Sequence, residues 1–175
     1  MKNKSTKIIL LVLFACIWIQ ACKDDDREKQ TITGASYDDT PYQLQVGDFS
    51  QPSIAMDNQL TRQGVKLGRM LFYEKRMSKD GSMSCASCHR QEHAFTDTSQ
   101  FSEGVRGKLG KRQAMAVFNM AWNENEFFWD GRAHLLRDQS LKPIQDSLEM
   151  DESLANVINK LKTDQQYKDQ FMRAF

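Results

Sequence analysis

The segment Cys85-Ala86-Ser87-Cys88-His89 constrains this chain more than any other stretch of its sequence. Two thiols and an imidazole stand within five positions, in a chain of 175 residues that has four cysteines and three histidines. Residues three and four apart share one face of a helical turn, so Cys85, Cys88 and His89 can act on one bound group. The segment therefore predicts a fold built around that group, with this turn as its anchor.

Cys-x-x-Cys-His is the attachment pattern of c-type haem. In that interpretation Cys85 and Cys88 form thioether bonds to the haem vinyl groups, and His89 binds the iron as its proximal ligand. Ser84 precedes the turn and is predicted to be its N-cap. A zinc site needs four ligands and would have to recruit a further side chain such as His93, and it stays open as an alternative. A thioredoxin-like redox pair is disfavoured because no βαβ pattern surrounds the motif, and the histidine directly after Cys88 favours haem over a disulfide.

The first 21 residues predict a lipoprotein signal peptide. Three lysines precede an apolar run over residues 8–19, which is shorter than the roughly 20 residues of a membrane-spanning helix. Gln20-Ala21-Cys22 then resembles a bacterial lipobox, which implies cleavage before Cys22 and a lipid on its thiol. Cys16 is a rival cleavage site, and an N-terminal membrane anchor is the alternative to a signal peptide. We therefore expect an extracytoplasmic protein, either periplasmic or an outer-membrane lipoprotein, with exposure at the cell surface left open.

The chain behind this signal predicts one domain on a tether. Residues 22–50 are polar without a sustained period, which is typical of a disordered tether. Residues 51–175 then form a single domain of ordinary size. Without residues 1–21 the chain keeps 21 Lys and Arg against 23 Asp and Glu, so its net charge is about −2 and nothing suggests a nucleic-acid partner.

The domain is predicted to be all-α, with short helices and no β alternation. Apolar residues recur at helical spacing over residues 60–72, where Thr61 is the expected cap. Two further amphipathic helices follow Asp151 and Asp164, each of which we expect to cap its helix. The helical segment that follows His134 is expected to be interrupted at Pro143.

Beyond the haem motif, the chain resembles the N-terminal half of the bacterial di-haem cytochrome c peroxidases. The matching stretches run in family order between about Leu67 and Met150: LGRMLFYEKRMSKDGSMSCASCH, HAFTD, GKRQAMAVFNMAWN, FFWDGRA and PIQDSLEM. The methylamine-utilisation-type di-haem enzymes share this layout. The resemblance implies a cytochrome c-like haem domain of short helices that is the peroxidatic one of the family's two haem domains.

The resemblance also implies roles for individual side chains. His89 is the proximal ligand of the peroxidatic haem, and Glu149 falls where the family keeps its distal catalytic glutamate. Trp129 matches an aromatic residue between the two haems. Gln139 matches a glutamine of the distal pocket, and Arg132 is a partner for a haem propionate.

The function implied is a haem c-dependent peroxidase that reduces hydrogen peroxide to water. Its electrons would come from a small donor protein of the cytochrome c or cupredoxin type, and a homodimer is compatible with the resemblance. The alternative is a mono-haem electron-transfer protein without peroxidase activity, which would need a sixth ligand such as Met115, Met120 or Met150. A third hypothesis is a haem-bearing tether or sensor whose partner supplies the chemistry.

Three departures from the family pattern qualify the resemblance. Many members place a removable histidine ligand where this chain has Val105, which implies an open iron position that needs no reductive activation. The family's calcium site uses an asparagine after a loop arginine, but here Gln113 follows Arg112, which puts calcium in doubt. The sequence contains no second Cys-x-x-Cys-His, so we expect one haem in this chain and a fragment that lacks the second haem domain, with a natural truncation as the alternative.

Overall fold

The computed structural model describes residues 34–123 and 126–175. The predicted signal peptide, Cys22 and the first part of the tether lie outside these residues. The described chain contains helices but no β-strand, which confirms the all-α prediction for this part of the protein. Its α-helices are α1 Arg62–Phe72, α2 Cys85–Cys88, α3 Leu136–Gln145, α4 Leu154–Lys162 and α5 Gln165–Ala174, and its 3₁₀ turns are Lys75–Met77, Gln91–His93 and Met120–Trp122. Among these described helices, none has the length and hydropathy that a bilayer crossing requires.

Polar side chains cap the N-termini of several helices. The Thr61 hydroxyl accepts a hydrogen bond from the Gly64 N–H at 2.9 Å, and Asp164 accepts one from the Gln166 N–H at 2.8 Å, as predicted for both caps. The prediction that Asp151 caps α4 is wrong. Ser153 holds that position and accepts from the Asn156 N–H at 3.2 Å, because two more residues pass before the helix begins.

Pro143 does not interrupt its helix, contrary to expectation. Helix α3 continues through Pro143 and ends two residues later at Gln145. Proline removes one backbone donor from a helix, but the last turn still closes here, because the Asp146 N–H donates to the Lys142 carbonyl at 3.0 Å. The Pro143 carbonyl instead accepts a hydrogen bond from the Met150 N–H at 3.2 Å, which folds the following turn back onto α3.

The hydrophobic core joins the first helix to the last ones. Helix α1 packs against α5, α5 against α4, and α4 against both α3 and the turn Lys75–Met77. The buried side chains of this core are Leu67, Met77, Ile144, Met150, Val157, Leu161, Tyr167 and Ala174. Helix α2 contributes no buried residue, so the attachment turn lies at the edge of the core.

A buried polar contact fixes the chain that leads into the attachment turn. Ser78 is fully buried, and its carbonyl oxygen accepts a hydrogen bond from the Lys160 Nζ at 2.7 Å. The same ammonium group pairs with a Glu152 carboxylate oxygen at 2.5 Å. Lys160 on α4 therefore holds together the segment before α2 and the segment that follows Glu149.

Part of the predicted tether contacts the helices. Residues 34–50 contain no helix, but the Asp38 N–H donates to the Arg173 carbonyl at 3.0 Å and the Tyr42 N–H donates to the Leu60 carbonyl at 2.9 Å. The Thr40 carbonyl accepts from the Arg62 N–H at 2.9 Å. Contacts with the helical domain therefore begin before residue 51.

Leu161→Ala should lower the free energy of unfolding by about 2–5 kcal/mol, because it opens a cavity in the core. Leu161 is 6% exposed, whereas Ile158 on the same helix is 51% exposed. Ile158→Ala is the matched control and should change stability by less than about 0.5 kcal/mol. Chemical denaturation of both variants measures the difference, and equal losses would contradict the orientation of α4.

Candidate haem site

The attachment turn is a single helical turn with a defined cap. Ser84 is the N-cap, as predicted, and its N–H donates to the Ser87 hydroxyl oxygen at 3.0 Å. The His89 N–H donates to the Cys85 carbonyl at 2.9 Å and closes the turn. The Cys85 and Cys88 thiols are half-buried and form no disulfide. Both thiols are therefore available to one bound group.

The His89 ring is oriented by a backbone carbonyl. Its Nδ1 lies 3.1 Å from the carbonyl oxygen of Phe95. A carbonyl oxygen can only accept, so this hydrogen bond requires the proton on Nδ1 and leaves the lone pair of Nε2 available to a metal. Proximal histidines are commonly oriented by a hydrogen bond of this kind.

The loop that supplies this carbonyl is held in an uncommon conformation. Ala94 and Phe95 have positive φ angles of 55° and 56°, which costs about 1–3 kcal/mol for each non-glycine residue. The Phe95 N–H donates to the Arg90 carbonyl at 2.8 Å, and the Phe95 carbonyl also accepts from the Val117 N–H at 3.3 Å. These bonds return the chain to His89 within six residues.

A buried carboxylate supports the same loop. Burial acts to raise the pKa of Asp97, but hydrogen bonds from Ser102, Ser99 and Arg90 outweigh it and lower the pKa below its ordinary value. The Ser102 hydroxyl donates to Asp97 at 2.7 Å, and the Arg90 guanidinium lies 3.2 Å from the other carboxylate oxygen. Asp97 thus connects the residue after His89 to the start of the next loop.

Glu149 lies in the turn after α3, half-buried and close to the attachment turn. Burial is the main cause that raises the pKa of Glu149, the Asp146 carboxylate adds to the rise, and Arg132 opposes it. Burial likewise raises the pKa of the Cys85 and Cys88 thiols, and in both cases the charge of Glu149 adds to the rise. The Glu149 carboxylate is therefore within electrostatic range of both thiols and of Arg132.

A glycine-rich loop, residues 102–110, contacts the backbone of Glu149. The Val105 N–H donates to the Glu149 carbonyl at 2.9 Å. A Cβ at Gly104 would overlap the Leu148 carbonyl oxygen and would lie 2.7 Å from that of Glu149, so only glycine fits there. The sequence analysis assigned no role to Gly104, although its loop contains two other glycines.

The other predicted site residues lie on two different elements. Trp129 is 63% exposed, and its Nε1–H donates to the Gln113 carbonyl at 3.0 Å. The Arg132 guanidinium stacks on the Phe128 ring with 3.6 Å to the ring centroid and pairs with Asp130 at 2.8 Å. Arg112 pairs with the second Asp130 oxygen, also at 2.8 Å.

Gln139 is separate from this group. It is half-buried on α3, and within the described residues no hydrogen bond joins its side chain to the other predicted site residues. The alternative of a zinc site gains no support, because the described residues contain no group of three or more His, Cys, Asp or Glu side chains placed to hold a metal ion. The residues present do fit a covalent haem: two free thiols lie on one turn beside an imidazole with an available Nε2.

The sequence matches one protein family over most of its described length. The family model of the di-haem cytochrome c peroxidases matches residues 62–175. The chain is 40% identical over 114 residues to cytochrome c peroxidase Ccp of Escherichia coli, an alignment that covers 65% of this chain and 24% of that protein. It is 32% identical over 120 residues to methylamine utilization protein MauG of Methylophilus methylotrophus, which covers 69% of this chain and 36% of that protein.

Solved structures show a similar fold. A MauG-like protein associated with microbial copper homeostasis superimposes with a TM-score of 0.68 at 31% identity, covering 74% of this chain and 39% of that one. The diheme peroxidase BthA of Burkholderia thailandensis gives a TM-score of 0.56 at 26% identity, covering 60% of this chain and 30% of that one. The chain thus spans between about a quarter and two fifths of the length of these relatives.

Replacement of both thiols should abolish covalent haem attachment. After production in a host that assembles c-type cytochromes, Cys85→Ser with Cys88→Ser should leave no haem on the denatured polypeptide, because no thioether bond remains. Ala86→Ser changes the same turn without touching a thiol and should keep the haem. Mass spectrometry and haem staining after denaturation measure this, and haem that survives denaturation in the double variant would contradict the assignment.

Glu149→Gln should raise the stability of the protein above that of the wild type, and this gain should be larger at about pH 8 than at about pH 4. The folded-state pKa of Glu149 is raised above its ordinary value of 4.5. The stability that the protonated carboxyl contributes is therefore fully present below about that pH and is lost as the pH rises through the folded-state pKa. Denaturation midpoints of the two proteins at both pH values measure the gain, with exposed Glu92→Gln as control. An equal gain at both pH values would contradict the raised pKa.

Proposed function

Because this chain belongs to the di-haem cytochrome c peroxidase family, we propose that it is a haem c-dependent peroxidase domain that reduces hydrogen peroxide to water. The observation that carries this proposal is the half-buried Glu149, whose turn is joined to the chain leading into Cys85 by the Lys79 N–H, which donates to the Met150 carbonyl at 2.9 Å. An electron carrier needs no acid–base group beside its haem, whereas peroxide reduction needs one. The names of the relatives, cytochrome c peroxidases among them, point the same way.

Cys85 and Cys88 would hold the haem by thioether bonds, and the Nε2 of His89 would hold its iron. When bound, the haem supplies an iron centre that takes up peroxide and exchanges electrons. The protein's part at this position is to fix the imidazole. The Phe95 carbonyl does so by keeping the proton on Nδ1 and by preventing rotation of the ring.

Glu149 moves the proton in the proposed reaction. Reduction of one hydrogen peroxide molecule consumes two electrons and two protons and gives two water molecules. Glu149 takes the proton from one peroxide oxygen and delivers it to the other, so that the second oxygen leaves as water when the O–O bond breaks. Its raised pKa brings the carboxyl closer to the operating pH, and Arg132 limits that rise.

The electrons come from a small donor protein of the cytochrome c or cupredoxin type. Trp129 exposes an aromatic ring three residues before Arg132 in the sequence, and it is the proposed contact toward the electron source. The lipid on Cys22 and an extracytoplasmic location complete the proposal, and they rest on the sequence of residues 1–22 alone.

Glu149→Gln should slow peroxide turnover by about 10²-fold, the usual contribution of a general acid–base group, and should leave the haem content unchanged. Glu92→Gln replaces an exposed glutamate in the turn Gln91–His93 and should retain full turnover. Steady-state kinetics with hydrogen peroxide and a reduced donor protein compare the variants at equal haem content. Unchanged turnover in Glu149→Gln would exclude Glu149 from the reaction.

The ferric spectrum distinguishes the electron-carrier alternative. A high-spin ferric spectrum that changes on addition of peroxide supports the peroxidase. A low-spin spectrum with the charge-transfer band of Met–iron ligation supports a carrier. Met150 is buried in the core, which disfavours it as that ligand.

A further inference from the structure

The turn that carries Glu149 is strained and held from several sides. The Leu148 N–H donates to the Asp146 carboxylate at 2.8 Å, and the Glu149 and Asp151 N–H groups donate to the Asp146 carbonyl at 3.0 and 2.9 Å. Asp151 has a φ of 49° in the left-handed region, which costs about 1–3 kcal/mol in a residue other than glycine. Such a residue persists only where its surroundings fix it, and strained residues cluster at functional sites.

The carboxylate of Asp151 joins two segments that are distant in the sequence. One of its oxygens accepts from the Arg106 Nε at 2.6 Å and lies 2.5 Å from the Arg106 Nη2. The same oxygen lies 3.1 Å from the Lys79 Nζ, and the Lys79 N–H donates to the Met150 carbonyl at 2.9 Å. Arg106 belongs to the glycine-rich loop, and Lys79 precedes the attachment turn by six residues.

The glycine-rich loop is closed by hydrogen bonds within it and contacts the turn that carries Glu149. The Gly110 N–H donates to the Ser102 carbonyl at 2.9 Å, and the Gly104 N–H donates to the Lys108 carbonyl at 3.0 Å. The absence of a side chain at Gly104 lets the loop touch the Leu148 and Glu149 carbonyls, and Val105 adds a hydrogen bond there. Arg106 then follows directly and reaches Asp151, so three consecutive loop residues hold the turn.

We propose that Asp151 is a positioning residue for Glu149: through Arg106 it locks the glycine-rich loop onto the Glu149 turn, and through Lys79 it ties that turn to the chain leading into Cys85. This inference rests on the proposed function, since it concerns the placement of the group that moves the proton. Asp151 acts only through the backbone of Glu149 and touches no substrate.

The expected effects on stability and on rate distinguish a positioning role of Asp151 from a purely structural role. Arg106 is 47% exposed and Lys79 is 56% exposed, and ion pairs with such exposed partners contribute about 0–1 kcal/mol to stability. Their loss should leave the fold intact. Misplacement of a catalytic group by about 1 Å, in contrast, can lower a rate by about 10²-fold.

Asp151→Asn tests the inference in the full, haem-loaded chain. Asparagine tolerates the left-handed conformation, so the substitution removes the charge and keeps the backbone. The kcat for peroxide should fall by between about 10- and 100-fold with little change in KM, haem content or denaturation midpoint. Arg106→Gln should give the same loss, whereas Arg106→Lys keeps the charge and should retain most of the activity.

The matched control breaks a different exposed pair. Asp57→Asn removes the partner of Arg137, which lies 2.8 Å away, by the same chemical change and should leave kcat unaltered. Hydrogen exchange gives a readout that does not depend on activity. The Val105 amide, which donates to the Glu149 carbonyl, should exchange at least about tenfold faster in Asp151→Asn than in the wild type or in Asp57→Asn.

A double variant tests whether Asp151 affects kcat through Glu149 or independently of it. If Asp151 acts only through Glu149, adding Asp151→Asn to Glu149→Gln causes no further loss of kcat. Losses that multiply, a retained kcat in Asp151→Asn, or an unchanged exchange rate at Val105 would each overturn the inference while leaving the proposed function standing. A wild-type protein without peroxide turnover, or one indifferent to Glu149→Gln, would overturn both.

Discussion

The hydrogen bond between the His89 Nδ1 and the Phe95 carbonyl sets the course of the chain around the site. To supply that carbonyl, the chain must turn back within six residues, and it does so through two left-handed residues, Ala94 and Phe95. The return places Asp97 where it pairs with Arg90 and receives the Ser102 hydroxyl. The glycine-rich loop starts there, and its Val105 N–H donates to the carbonyl of Glu149. One orienting contact thus leads, bond by bond, from the proposed proximal ligand to the proposed acid–base group.

Stability and chemistry are divided between different parts of the domain. The core is formed by α1 with the C-terminal helices, and it contains no residue of the attachment turn. The proposed chemical groups lie on a single helical turn and on two irregular turns, around Arg132 and Glu149. Lys160 connects the two parts, because it holds the Ser78 carbonyl and Glu152 from α4. Functional side chains are commonly carried in this way on loops that a rigid scaffold positions.

The attachment turn and the amphipathic helices were predictable from the sequence, because the cysteine spacing, the capping residues and the apolar periodicity are each visible within a few residues. Thr61, Ser84 and Asp164 are caps as predicted. The role of Asp151 was not predictable in this way. An acidic residue before an amphipathic helix predicts a helix cap. The actual partners of Asp151 are Arg106 and Lys79, which lie 45 and 72 residues earlier in the sequence. The Phe95 carbonyl carries no sequence signal at all, since every residue has a carbonyl, and Glu149 was found only through the family resemblance.

The packing of α1 against α5 also bears on the order in which this domain matures. The two helices are far apart in the sequence, and the attachment turn lies between them. Contacts across such a separation close slowly, because the intervening chain must first give up its loop entropy. A nascent chain therefore presents its two thiols before the helix that completes the core has been synthesised. Porphyrin can then be joined to both cysteines before α1 and α5 pack together.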